Sequence, residues 1–297
     1  MQNPKLPEGL ITEPIVRCRY MDPGYSGHAS DVWLVETTLR DVVVRASRWS
    51  SVPDIDFWWG CWRLFGLDPT SGDTMEYAAR ILSGSTDVLC PRVLERKVLA
   101  GRQFLVVEHM PGSALTSFFT APRSLLYGLG RWLAQVHTQA FDTFGTLDGS
   151  TRKPLREFHD AAVEVMEDLV ERYWLAEPDI AAALPKLATD MQALPIPTQS
   201  SPVLVDMDPT QFLVDSGQIT AVVDTEAYVL APPALDFIAL EYVLDQRTAS
   251  AVADGYTSVR PLPILTEVRA PYRYLYRLLS IQGDVRLMEW MNHPTLF

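Results

Sequence analysis

The chain has 297 residues, 47% hydrophobic and 21% charged, enough apolar material to bury one large core or the cores of two lobes. Its formal charge of -12 repels phosphate backbones and argues against a nucleic-acid polymer as partner, while it attracts small cations. No run approaches the ~20 apolar residues of a membrane helix and the opening MQNPKLPEGL lacks an apolar signal core, so a cytoplasmic protein with no membrane partner is expected.

Residues 10 to 47 alternate strand-like runs with turn signals, ITEPIVRCRY, DPGYSGHAS, DVWLVET and DVVVRAS, the pattern of a small antiparallel sheet. In DFWWGCWRLFGLDP, Trp58, Trp62 and Phe65 share one helix face, which either packs on that sheet or walls a ligand cleft. Asp73 suits the N-cap of a helix over Thr74 to Leu82, and strands are expected at Arg92 to Val98 and Gln103 to Glu108. Pro111 and Gly112 interrupt EHMPGSAL as a hinge would. Beyond it the pattern turns largely helical, over 123–140, 154–175, 177–193 and much of 233–293. Cys18, Cys61 and Cys90 are odd in number and far apart, which fits reduced thiols.

VLVDMDPTQFLVDSGQITAVVDTEAY, residues 203 to 228, breaks the helical run. QFLV and ITAVV flank Asp215 to Gln218, and Gly217 supplies the positive φ of a tight hairpin. With the turn centred between Ser216 and Gly217, Gln211 faces Val222, and Asp224 returns to the same open end as Gln211 and the loop bearing Asp206. Acids brought this close need a cation, and oxygen donors without Cys or His suit Mg²⁺ shared with a phosphate.

Two chemistries use such a site. The string VLVDMDPT is similar to the D-x-D-x-T strand end of haloacid-dehalogenase-like phosphatases, which opens a parallel α/β domain; here about 90 residues of mainly helical pattern follow it. The alternative is phosphoryl transfer. From about residue 15 to 245 the chain resembles the aminoglycoside phosphotransferase family, whose catalytic stretch has a form like H-G-D-x-x-x-x-N, then a hairpin and I-D-W. Leu204, Val205, Asp206, Gln211 and the V-D-T at Val223 to Thr225 match it, and APPALDFIAL resembles the later G-D-P-x-x-D-L. YSGHASDVWLV resembles the phosphate-covering loop and strand, VVVRAS the third strand, FLVVEHMPGSAL the hinge and LGRWLAQVH the helix ahead of the catalytic loop.

The resemblance implies an α+β, protein-kinase-like two-lobed fold, with a small antiparallel-sheet lobe over 1–108, a hinge at 109–112 and a helical lobe over 113–297. It implies ATP or GTP as phosphate donor and a small-molecule acceptor. Asp206 takes the position of the catalytic base, Gln211 and Asp224 those of the metal ligands, and Asp236 that of the acid bracing the catalytic loop. Arg45 stands at the invariant lysine, with Glu76 as its helix partner. Ser26, Gly27 and His28 fall in the phosphate loop, and the backbone of Glu108, His109 and Met110 faces adenine.

The chain departs from the pattern at three places. Arg45 keeps a positive charge but on a planar fork, and Gln211 keeps an amide oxygen on a stem longer by one methylene. Leu204 and Val205 replace a hydrogen-bonding side chain and a permissive glycine. An inactive nucleotide-binding module is therefore the second reading. For the acceptor, Glu157, Asp160, Glu164, Glu167, Asp168 and Glu171 line one helix face, either solvated or a wall for a polyamine or aminosugar. Asp208 and Glu226 flank the catalytic stretch, as loop acids or as contacts to an acceptor hydroxyl or ammonium. The helix with Arg269, Arg273 and Arg277 is expected at the surface, and His137 in the core.

Overall fold

The structure, a computed structural model, describes residues 4–22, 29–84 and 86–297. The phosphate-loop expectation for Ser26, Gly27 and His28 lies outside the described residues.

β1 (Ile15–Tyr20), β2 (Ser30–Thr37), β3 (Asp41–Ser47), β4 (Val93–Leu99) and β5 (Arg102–Glu108) form one antiparallel sheet in the order β1-β2-β3-β5-β4. Alternation along β3 sorts its faces. Val42, Val44 and Ala46 join Trp33, Phe104 and Leu10 on one side. On the other, Val43 packs with Leu105, Val107 and Met75 of α2 (Asp73–Ser83). Arg45 shares the α2 side of the strand, which aims it at the interior of the molecule.

Between β3 and α2 the chain inserts α1 (Asp56–Phe65), the aromatic helix. It does not pack on the sheet, whose faces carry the N-terminal segment and α2. Its buried stripe is Trp58, Cys61, Leu64 and Phe65, while Trp62, expected on that stripe, is exposed. The stripe joins the large core of the helical part. A Cβ on Gly60 would stand 2.4 Å from a Leu279 methyl and 3.2 Å from one of Leu169, so the glycine lets the helix lie close to these side chains.

The remainder contains β6 (Ser113–Ala114), α3 (Arg123–Val136), β7 (Thr143–Thr146), β8 (Arg152–Pro154), α4 (Phe158–Leu169), α5 (Pro178–Gln192), β9 (Ser201–Leu204), β10 (Phe212–Asp215), β11 (Gln218–Val222), β12 (Tyr228–Ala231), α6 (Ala234–Val243), α7 (Gln246–Thr257), α8 (Arg269–Leu278) and α9 (Leu287–Met291). Two small sheets, β11-β10-β6 and β8-β7-β12-β9, join these elements. Among the described residues, no helix is long and apolar enough to cross a membrane.

α8 corrects the surface expectation. Arg273 and Arg277 are buried, and Arg269 and Arg273 converge on the fully buried Glu241 at 3.2 and 2.7 Å. Arg277 stacks over Trp174 at 4.4 Å. Three arginines at helical spacing look like a solvated face until a buried carboxylate and an indole are there to receive them.

α3 and α7 cross at two glycines. A Cβ on Gly130 would lie 2.0 Å from the Val252 carbonyl oxygen, and one on Gly255 would lie 2.0 Å from that of Tyr127. Backbone cannot yield as a side-chain tip does, so Gly130→Ala is expected to destabilise the fold by about 2 kcal/mol or more despite alanine's better helix propensity. An unchanged urea midpoint would contradict this close approach.

Candidate active site

The β10–β11 hairpin sets the geometry. Ser216 and Gly217 take φ of 51° and 77° and close the turn. A bulge makes Val214 face Ile219 while Leu213 faces Ala221, so Phe212, not Gln211, lies opposite Val222. Gln211 instead receives the Val223 N–H on its carbonyl at 2.7 Å. The acids still return to the hairpin's open end, one residue out of the expected register. Asp224 follows Val223 in the left-handed region, at φ 59° and ψ 48°, where a non-glycine residue is held at a cost typical of functional turns.

The loop from Asp206 to Gln211 is tied by its own side chains. Gln211, buried, donates from Nε2 to the Asp206 carbonyl at 2.6 Å and accepts the Asp208 N–H on Oε1 at 2.9 Å. Asp208 in turn accepts from the Thr210 N–H at 2.8 Å. The extra methylene of Gln211 therefore closes the loop across its backbone, and Oε1 keeps one lone pair free of that contact. Asp208 is exposed and caps the following turn through Oδ1.

Asp206 is half-buried, and its carboxyl is pushed up to about 7, first by burial and then by the charges of Asp224 and Asp208. A carboxylate so placed can hold a proton near neutral pH. Its charge also reaches Cys61, buried on α1, whose thiol is raised well above the usual range by burial, Asp206 and Asp56. α1 thus lies beside the loop that carries Asp206, a neighbour that nothing in the spacing of DFWWGCW announced.

Arg45 enters from β3. Its guanidinium, 11% exposed, meets Asp224 at 2.6 Å and also contacts Glu226. Burial works against its charge, but Glu226 and Asp224 outweigh it and hold the guanidinium protonated. Glu226 is buried and accepts from Ser30 Oγ at 2.9 Å; burial raises its carboxyl, and the neighbouring Arg45 guanidinium pulls it back down. It therefore faces β2 and β3, not an acceptor.

Glu76, expected as Arg45's partner, pairs with Arg96 at 3.0 Å. α2 starts after Gly72, itself at φ 65°, in a phase that turns Met75 inward onto Leu105 and Val107 and leaves Glu76 facing β4. Glu108 gives its carboxylate to Arg92, while His109 is exposed and Met110 half-exposed.

Asp236 is buried at the start of α6. Oδ1 accepts the Leu204 N–H at 3.0 Å, and Oδ2 lies 2.9 Å from His137 Nε2, whose other ring nitrogen is 3.0 Å from the Tyr256 hydroxyl. Burial pushes its carboxyl up, against the opposing pull of His137. The strand leading into Asp206 is thus held through its backbone, although Leu204 offers no polar side chain. Glu157, Asp160 and Glu164 are exposed along α4; their charges are not among those acting on Asp206. Asp168, from the same row, is bound by Arg63 of α1 at 2.7 Å.

Among the described residues no group of three or more His, Cys, Asp or Glu side chains is placed to cage a metal. The donor set still fits Mg²⁺, because Asp224 offers a half-exposed carboxylate and Gln211 a hard amide oxygen, and Mg²⁺ takes its remaining ligands from phosphates and water.

A model of the phosphotransferase enzyme family matches residues 24–269. Among solved structures, macrolide 2′-phosphotransferase MphH from Brachybacterium faecium is 16% identical, with a TM-score of 0.55 over 89% of this chain and 81% of that one. Spectinomycin phosphotransferase APH(9)-Ia, solved with ADP and spectinomycin, is 12% identical, with a TM-score of 0.59 over 91% and 82%. Aminoglycoside phosphotransferase APH(4)-Ia, solved with AMP-PNP and hygromycin B, is 15% identical, with a TM-score of 0.57 over 90% and 85%. No curated protein sequence matches. The neighbours share the sheet-plus-helices, protein-kinase-like fold. With the family match spanning well over half of its length, the chain belongs to the phosphotransferase enzyme family.

Proposed function

We propose that this enzyme transfers the γ-phosphate of ATP to a hydroxyl of a small cationic molecule, an aminoglycoside-like compound, aminosugar or amino alcohol. The observation that carries the reading is the meeting of Arg45 from the sheet with Asp224 from the hairpin's mouth, next to the loop that presents Asp206. Phosphoryl transfer depends on positioning and on neutralising charge across the phosphate oxygens, and this arrangement supplies the parts. Asp206 accepts the hydroxyl proton and orients the attacking oxygen. Arg45 contacts the phosphates, leaving Asp224 to the metal. Asp224 and Oε1 of Gln211 would hold Mg²⁺, which when bound screens the charge of the donor phosphates.

The nucleotide would sit between a lobe ending at Glu108 and a helical lobe beginning after 112, with adenine against the backbone of 108–110. The net charge of -12 favours a cationic acceptor by steering it to the protein.

The phosphatase reading has less support. β9, which leads into Asp206, pairs antiparallel with β12 in a four-stranded sheet, and Asp208, the second acid of that motif, is engaged by Thr210.

Calorimetric titration with ATP, with and without Mg²⁺, tests the site. Wild type should bind more tightly with Mg²⁺, and Asp224→Ala should lose that gain, about tenfold or more. ATP consumption over a panel of aminoglycosides, choline and aminosugars then identifies the acceptor. Wild type that shows neither nucleotide binding nor turnover would sink the reading; binding without turnover over the panel would favour the inactive module.

A further inference from the structure

A buried guanidinium needs a carboxylate held in place to receive it, since an ion left unpaired away from water is costly. In this fold α2 is the element packed against the Arg45 side of β3, and it sends no acid inward. Met75 fills the inward position, while Asp73 and Glu76 are taken on the outside by Arg96 at 2.7 and 3.0 Å. A small cavity lined by Ser30, Arg45, Met75, Leu105 and Glu226 lies where an acid from α2 would otherwise reach.

Among the described residues the acids on Arg45 are Asp224 and Glu226, and they are unequal. The Asp224 side chain is 54% exposed at the hairpin's mouth; that of Glu226 is 11% exposed and pinned by Ser30 Oγ at 2.9 Å. Glu226 sits in a buried single turn, Thr225–Ala227, that runs directly into β12. The next residue, Ala227, accepts the Val205 N–H at 3.3 Å, one residue before Asp206.

We infer that Glu226, rather than an acid of α2, is the residue that positions Arg45 toward the nucleotide phosphates. The inference rests on the reading of the site given above. When a metal ion takes Asp224, Arg45 keeps Glu226 as its fixed partner. One short turn then presents the metal-binding acid, aims the phosphate-binding cation and ties down the backbone beside Asp206. The acids of α2 are engaged by Arg96, so the negative charge that aims Arg45 comes from this turn and not from that helix.

The test compares the affinities of Mg²⁺-ATP and of adenosine, measured by calorimetry. Glu226→Gln should weaken ATP about tenfold, as loss of a charge-assisted contact does, and leave adenosine unchanged. A merely structural role would weaken both alike. Ser30→Ala, which loosens Glu226 without altering either ion, should show a smaller loss of the same kind. Glu76→Gln should change neither affinity, and in an Arg45→Met background Glu226→Gln should add nothing further. Unchanged ATP affinity in Glu226→Gln, an equal loss in Glu76→Gln, or full additivity with Arg45→Met would each overturn the inference. Urea unfolding of Arg45→Met, Glu226→Gln and the double variant without nucleotide separates the two levels. If wild type binds no ATP, the nucleotide reading falls and the phosphate role falls with it. Non-additive unfolding free energies would still establish the Arg45–Glu226 brace, and additive ones would remove it.

Discussion

Asp206→Asn is expected to lower phosphoryl transfer by about 10²- to 10⁴-fold while nucleotide affinity changes little. The loss follows from what the amide cannot do. It fills the same space and leaves untouched the loop held through the Asp206 carbonyl by Gln211, but it accepts no proton from an acceptor hydroxyl. The same variant carries a stability signature. The native carboxyl is pushed up to about 7 by burial and by Asp224 and Asp208, whereas in the unfolded chain it returns to the usual value of about 3.9. The native state then binds more protons than the unfolded state between those values, and ionisation of Asp206 costs stability as pH rises. In nucleotide- and metal-free protein, Asp206→Asn should therefore match wild type near pH ~4, gain on it up to about pH 7 and hold a constant advantage above. Urea midpoints at several pH values measure this; a constant difference would show that the carboxylate is not held at a cost.

Asp236→Ala is expected to lose about 3 to 5 kcal/mol of stability, the range for breaking one partner out of a buried polar pair. One carboxylate serves two groups that have no access to water, the Leu204 N–H and the His137 ring. Through them it links α6 to β9 and α3, with Tyr256 of α7 behind the histidine. Removal leaves the Leu204 N–H and His137 Nε2 without their partner, the ring keeping Tyr256 on its other nitrogen, and frees the strand end that leads into Asp206. Asp236→Asn, which keeps one oxygen for Leu204, should cost less, about 1 to 3 kcal/mol. Urea unfolding with an unchanged slope is the measurement, and a loss below about 1 kcal/mol for Asp236→Ala would contradict the bracing role.

The site's outline was legible because its cues are local. A tight turn at Ser216–Gly217 returns the chain on itself, and acids at the ends of apolar runs have to meet at its mouth. The bulge in β10–β11 was not legible: it depends on how the hairpin twists against its neighbours, and it moved the register by one residue. The exchange of Glu76 for Glu226 was hidden for a similar reason. Both acids stand at plausible separations from Arg45, and the phase of α2 after Gly72 decides between them. Periodicity identified the aromatic helix α1 but not its destination, since a stripe of Trp and Phe suits any apolar surface, and the sheet's faces were already covered. In α8 the error had the opposite sign: charge read as exposure became burial because Glu241 lies in the core to receive two arginines. β7, β8 and β12, three or four residues each, are too short for an alternating pattern to register.

The central claim is that Arg45, Asp206, Gln211 and Asp224 surround one nucleotide–metal site, and a crystal structure of the protein with ADP and Mg²⁺ tests it most directly. The expected result places the metal on the Asp224 carboxylate and a phosphate oxygen, with Arg45 turned toward the phosphates and still bound to Glu226. A nucleotide seated away from the hairpin's mouth, or a metal without Asp224 among its ligands, would contradict the account.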